Sequence, residues 1–145
     1  MMEPYRRRNL SEAERNRVFE DLEAALSREP RVAFAFVHGS FVSKPEAARD
    51  LDVAVHLRRC DAPTLEAELA LESRLAPAVG AIPIDVRILN GAPAGFRFQV
   101  VKTGMAIAIR DPGLLSDFIE ETLADYIDFL PHRSTYLREA LKRGA

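Results

Sequence analysis

The chain has no tryptophan, a single cysteine and no long apolar run. Each absence excludes something. Cys60 alone cannot form an internal disulfide, so no small disulfide-stapled scaffold is at hand. Without a His-Asn context it reads as a structural thiol rather than a nucleophile. No stretch approaches the roughly 20 apolar residues that a membrane-spanning helix needs. No apolar core of a signal peptide follows the charged N-terminus, so the default compartment is the reduced cytoplasm. Charge of one sign is also missing. The formal net charge is -2, which gives no basic field to attract nucleic acid. The short run Arg6-Arg7-Arg8 reads as a solvated tail or a partner contact. There is neither an internal repeat nor a low-complexity segment.

What is present is an ordinary globular composition, 48% apolar and 29% charged over 145 residues. That length fits one domain, 1–145, with residues 1–10 as a loose start. Ser11-Glu12-Ala13-Glu14 is a capping box, and Val18, Leu22, Ala25 and Leu26 continue it at helical spacing until Pro30. Val32 to Val37 is an apolar run that reads as a strand covered on both faces. A loop from Phe41 to Arg49 leads to a second strand, Leu51 to Leu57. Asp61-Ala62-Pro63 opens a helix whose buried side is marked by Leu65, Leu69, Leu71 and Leu75, with Pro77 to Gly80 ending it. Pro83 opens a third strand with Ile84, Val86 and Ile88 on its apolar face. After Asn90-Gly91, a short helix runs from Pro93 to about Lys102, and Met105 to Ile109 forms a fourth strand. Asp111-Pro112 starts a long helix with apolar Leu115, Phe118, Ile119, Leu123, Tyr126 and Ile127, broken at Pro131. A last helical piece runs from about Ser134 to Leu141. The sum is an α/β fold with a mixed sheet of about four strands and helices packed on it. The first two strands, joined by a loop, should be antiparallel neighbours.

The second strand carries the chemistry. Its odd positions Leu51, Val53, Val55 and Leu57 are apolar. Asp50 and Asp52 share the other face, because side chains alternate along a strand. Asp85 likewise lies opposite the apolar side of the third strand. If the two strands are neighbours, three carboxylates meet on one face. Like charges so placed are costly unless a cation sits among them. Hard oxygen donors suit Mg²⁺, and a metal pair can clamp the attacking and leaving oxygens of a displacement at phosphorus. Gly39-Ser40 ends the first strand, where a glycine lets backbone approach a ligand and N–H groups can hold phosphate. Lys44, Arg49 and Arg87 are cations within reach of a triphosphate. His38 and His56 read as structural, since His56 lies four strand residues, about 13 Å, beyond Asp52. Tyr126, Phe129 and Tyr136 read as core or partner surface.

A DxD alone is common at strand ends. The combination of Gly39-Ser40, a loop, Asp50-Leu51-Asp52 and a later strand Asp85 resembles the polymerase β-like nucleotidyltransferase superfamily. Within it the chain is similar to the minimal nucleotidyltransferases, the MNT group, over nearly its whole length. The tail with Tyr126-Ile127-Asp128-Phe129 resembles that group's long C-terminal helix. The resemblance implies that Asp50, Asp52 and Asp85 are the catalytic carboxylates and ligate two Mg²⁺ ions. It implies that Gly39 and Ser40 hold phosphate, that ATP is the substrate, and that AMP passes to a hydroxyl. It further implies an antitoxin whose partner is a HEPN-type toxin, with a toxin tyrosine as acceptor. Two other roles stand beside it: a non-catalytic antitoxin that masks its partner, and a nucleotidyltransferase acting on a small hydroxyl compound. Self-association is left open. The chain departs from the group where Ser43-Lys44-Pro45 replaces a second glycine, where Arg49 replaces a serine, and in a loop about one residue short.

Overall fold

The computed structural model describes residues 10–60, 64–80, 82–130, 138–139 and 141–142. The Arg6–Arg8 run, the Asp61–Pro63 helix start, Tyr136 and most of the segment after Pro131 lie outside them. The element order is α1 (Glu12–Ser27), β1 (Val32–His38), α2 (Ser40–Ser43), β2 (Leu51–Leu57), α3 (Leu65–Val79), β3 (Ile84–Ile88), α4 (Ala94–Thr103), β4 (Met105–Ile107) and α5 (Pro112–Phe129). The expected capping box is in place. Glu14 N–H donates to Ser11 Oγ at 3.1 Å, and Ser11 N–H donates to Glu14 Oε1 at 3.2 Å. Two orphan donors of the first turn are thereby satisfied.

One four-stranded sheet organises the chain, in the order β3-β2-β1-β4. β1 is antiparallel to both β2 and β4, while β2 and β3 run parallel. A parallel pair needs a crossover, and α3 supplies it. The central β1 is buried along Val32–Val37, as its unbroken apolar run requires. On one face Leu22 and Leu26 of α1 and Leu71, Leu75 and Val79 of α3 pack against Val37, Val53, Val55 and Val86. On the other, Val100 of α4 and Phe118 of α5 close over Ala33, Phe34, Phe36 and Ala54. Phe34 and Phe118 are 5.4 Å apart, and Phe34 also stands edge-on to Phe36. Emptying the Phe34 site would cost about 3–5 kcal/mol.

Three expectations need correction. Leu65 and Leu69 are not on the buried side of α3; they are 69% and 50% exposed. The side turned inward carries Glu68 and Glu72 beside the leucines instead. Those carboxylates accept hydrogen bonds from Ile88 N–H at 2.8 Å and Val86 N–H at 2.9 Å, satisfying the outer edge of β3. α3 itself begins at Leu65, capped by Thr64, whose hydroxyl accepts from Ala67 N–H. Second, residues 41–49 are not an irregular loop. They hold the single turn of α2 and a 3₁₀ turn over Pro45–Ala47. Third, β4 stops at Ile107, because Ala108 turns to φ 50°.

Candidate active site

β1 and β2 bring the first half of the site together. His38 and Asp52 are register partners across the antiparallel pair. Between them the backbone turns at Gly39, with φ 73° and ψ -156°, a conformation essentially confined to glycine. Gly39 is also pressed against Asp52. A Cβ built on it would collide with Asp52 Oδ2 and lie 3.2 Å from Cγ. This position therefore has room for no side chain, and backbone comes directly against a carboxylate. Ser40 then opens α2. Gly39 C=O accepts from Val42 N–H, Ser43 N–H and Ser43 Oγ at 3.1–3.2 Å, which fixes the turn.

The parallel pairing of β2 and β3 supplies the second half. Asp52 and Asp85 are direct register partners, so the strand parity read from the sequence does place them on one face. Asp50 lies in the bend just before β2 and is exposed. The Asp52 carboxyl is pushed above the ordinary carboxylate range. Burial is the main cause and the His38 imidazole opposes it; the charges of Asp85 and Asp50 add to the rise, and Arg87 draws it back. All five groups therefore belong to one electrostatic neighbourhood. Arg87 reaches Asp85 at 3.7 Å, but both side chains are at least half exposed, so this ion pair is weak. Arg49 and Lys44 are both exposed, Lys44 at the end of α2 and Arg49 just before Asp50.

His38 was not expected to belong to the site. The structure sets it edge-on against Phe96 of α4 at 5.7 Å, with its Nε2 buried and without a hydrogen-bond partner. Burial holds its pKa below the ordinary imidazole range, against the pull of Asp52 and Asp85. The signal lay in the alternation of Phe34, Phe36 and His38, which puts the ring on the acids' face once the antiparallel register is known. His56 is elsewhere on that face, stacked on Phe34 at 4.8 Å and edge-on to Phe118.

The donor set fits a hard divalent cation. It offers carboxylate oxygens on anions that repel one another; burial is the first cause of the raised Asp52 pKa, and the charges of Asp85 and Asp50 add to it. Among the described residues, no three His, Cys, Asp or Glu side chains already converge on a single metal position.

The polymerase beta nucleotidyltransferase family model matches residues 20–113, from the middle of α1 to the start of α5. This chain belongs to the polymerase beta nucleotidyltransferase family. No curated protein matches it. Solved structures do, and they agree on the fold. A mutant MntA-HpeT toxin-antitoxin structure shares 19% identity at a TM-score of 0.62, over 88% of this chain and 98% of that one. A toxin-antitoxin structure with AMP-PNP shares 20% identity at a TM-score of 0.61, over 88% and 98%. A tri-AMPylated Shewanella oneidensis HEPN toxin in complex with an MNT antitoxin gives 20% identity and a TM-score of 0.56, over 91% and 99%. The mixed four-stranded sheet with its long C-terminal helix α5 is thus a polymerase β-like nucleotidyltransferase fold. No described helix is long and apolar enough to cross a membrane.

Proposed function

We propose that this protein is a Mg²⁺-dependent nucleotidyltransferase that moves AMP from ATP to a tyrosine hydroxyl of a HEPN-type toxin, and so acts as its antitoxin in the cytoplasm. The observation that carries the reading is the in-register pair Asp52 and Asp85 beside Gly39, on a chain of this family. The likeness to toxin–antitoxin complexes, one with AMP-PNP and one with an AMPylated toxin, supports the choice of nucleotide and partner. Asp50, Asp52 and Asp85 would hold the metal, which when bound offsets phosphate charge and orients the α-phosphate. Asp85, whose side chain is half exposed, would take the proton of the acceptor hydroxyl. As that oxygen bonds to the α-phosphorus, the bond to the β-phosphate oxygen breaks and pyrophosphate leaves. Gly39 and Ser40 present backbone and hydroxyl to the phosphates, while Lys44, Arg49 and Arg87 surround them with positive charge.

The test is label transfer. The protein, Mg²⁺, α-labelled ATP and the product of the neighbouring gene should yield a labelled partner, and the Asp50→Ala/Asp52→Ala variant should not. Equal labelling with both proteins, or none with either, refutes the enzymatic reading. One observation favours a masking antitoxin without catalysis: Ser43-Lys44-Pro45 stands where the MNT group carries a second glycine. Calorimetry separates the two, since a masking protein binds its partner but not Mg²⁺-ATP.

A further inference from the structure

α5 is chemically lopsided. Its 18 residues contain Asp117, Glu120, Glu121, Asp125 and Asp128 and neither lysine nor arginine, in a chain whose 20 basic residues nearly balance 22 acidic ones. One side of the helix is buried through Phe118 and Thr122. Beside that side run Glu121, Asp125 and Phe129, four residues apart and therefore in one row. Phe129 ends the row and is 82% exposed, the most exposed large apolar residue among those described.

The row borders a cavity of about 200 Å³, lined in part by His56, Asn90, Arg97, Phe118, Glu121 and Asp125. Most polar groups there are already spent. The Asn90 amide bonds both N–H and C=O of Leu57. Arg97 donates to Ala92 C=O at 2.9 Å, to Thr122 Oγ1 at 3.3 Å and to Asp125 Oδ2 at 2.9 Å. The capacity that remains is that of Glu121, the second oxygen of Asp125, and His56 Nδ1, which is buried without a partner. Phe118 and His56 complete the walls. Such a space takes a cation with an apolar stem, the form of an arginine or lysine side chain.

We infer that the Glu121–Asp125–Phe129 row of α5 and the adjoining cavity dock a protein partner that inserts a basic side chain beside His56 and lays an apolar patch on Phe129. An acidic face repels nucleic acid and anionic lipid, which leaves a protein as the fitting class. The exposed phenyl ring next to a charged row matches the apolar anchor and polar rim of protein interfaces. The inference deepens the proposed antitoxin role, and it rests on that reading for the existence of a partner. It puts docking beside His56, four strand residues of β2 beyond Asp52.

The experiment uses the full-length chain with two probes. In an NMR titration, N-acetyl-arginine amide should shift the amide signals of His56, Gly91 and Glu121, whereas N-acetyl-norleucine amide should not. In a binding assay with the neighbouring gene's product, Glu121→Arg and Phe129→Asp should each weaken affinity about 30-fold or more, with circular dichroism melts unchanged. Equal shifts with both amides, no wild-type binding, or binding that neither variant weakens would overturn the inference. AMP transfer is scored separately. Binding that depends on Glu121 without any transfer would refute the catalytic proposal and leave the docking face standing.

Discussion

Gly39→Ala is expected to be among the most damaging single-methyl additions in this protein, for two reasons that can be separated. The first is backbone strain. At φ 73° and ψ -156° an alanine costs about 1–3 kcal/mol. The second is contact, because the new methyl overlaps the Asp52 carboxylate and forces it to move. Overpacking of that kind costs about 1–3 kcal/mol more. Gly80 provides the control. It shares the left-handed backbone, φ 74°, but nothing lies within 4 Å of a Cβ placed there. Gly80→Ala should therefore show the strain alone. Asp52→Ala supplies the cycle, since it deletes the overlapping oxygen and Cγ and leaves only Cβ at 3.5 Å. In that background Gly39→Ala should cost about as much as Gly80→Ala does in the wild type. The coupling between positions 39 and 52 should reach about 1–3 kcal/mol. Urea unfolding measures it, and thermal melts should fall by about 2–4 °C per kcal/mol. Additivity within about 0.5 kcal/mol would refute the packing of backbone on carboxylate, and with it the account of why a glycine stands here.

Three further outcomes follow from the same structure. Glu68→Ala and Glu72→Ala each remove the acceptor for an edge N–H of β3, so each should lower stability by about 1 kcal/mol in urea unfolding and raise aggregation seen by light scattering; variants as stable and soluble as wild type would refute the edge-covering role. Ala108→Gly relieves a residue at φ 50° and should be neutral or stabilising by up to about 1 kcal/mol in the same assay, so a clear loss would count against the strain. His56 has a pKa held below the ordinary value, by burial first, with Glu121 and a backbone hydrogen bond at Leu57 opposing. The unfolded chain then binds the proton more readily, so stability is lost as pH falls below about 6.5. His56→Phe should flatten that fall in pH-dependent melts, leaving the part due to His38; an unchanged slope would refute it.

The antiparallel pairing of β1 with β2 was legible from the loop that joins them, and the faces of β2 were legible because Leu51, Val53, Val55 and Leu57 alternate without exception, and all four are buried. The same parity put Asp52 and Asp85 on one face on the condition that β2 and β3 are neighbours, and their parallel pairing meets it. The inward side of α3 was not legible. Leu65 and Leu69 make a plausible stripe, but so do Leu71, Leu75 and Val79, and only one can face the sheet. What decides is the edge of β3, whose N–H groups need Glu68 and Glu72, and turning those glutamates inward carries Leu65 and Leu69 outward. His38 was missed for a related reason. Its role depends on the register between β1 and β2, which no single strand's pattern contains.

The α4/α5 side of the sheet therefore holds two chemically different ends. At the start of β2, Asp52 is raised in pKa by burial first and by its acidic neighbours second, and a bound cation would offset the charge of those neighbours. At the far end of β2, His56 is packed between Phe34 and Phe118, with its Nδ1 buried and without a hydrogen-bond partner. The strand joining them lies between β1 and β3, paired with β1 from Asp52 to Leu57 and with β3 from Leu51 to Val55, so a shift of either end disturbs the buried row Phe34, Phe36 and Ala54. A rigid link of this kind suits a division of labour, in which one end fixes a partner and the other acts on it at a set distance. It also makes a specific demand. Phe34→Ala, which removes the ring stacked on His56 and packed on Phe118, should weaken partner binding more than Mg²⁺-ATP binding, each measured by calorimetry at temperatures where the protein remains folded; equal losses would refute the division.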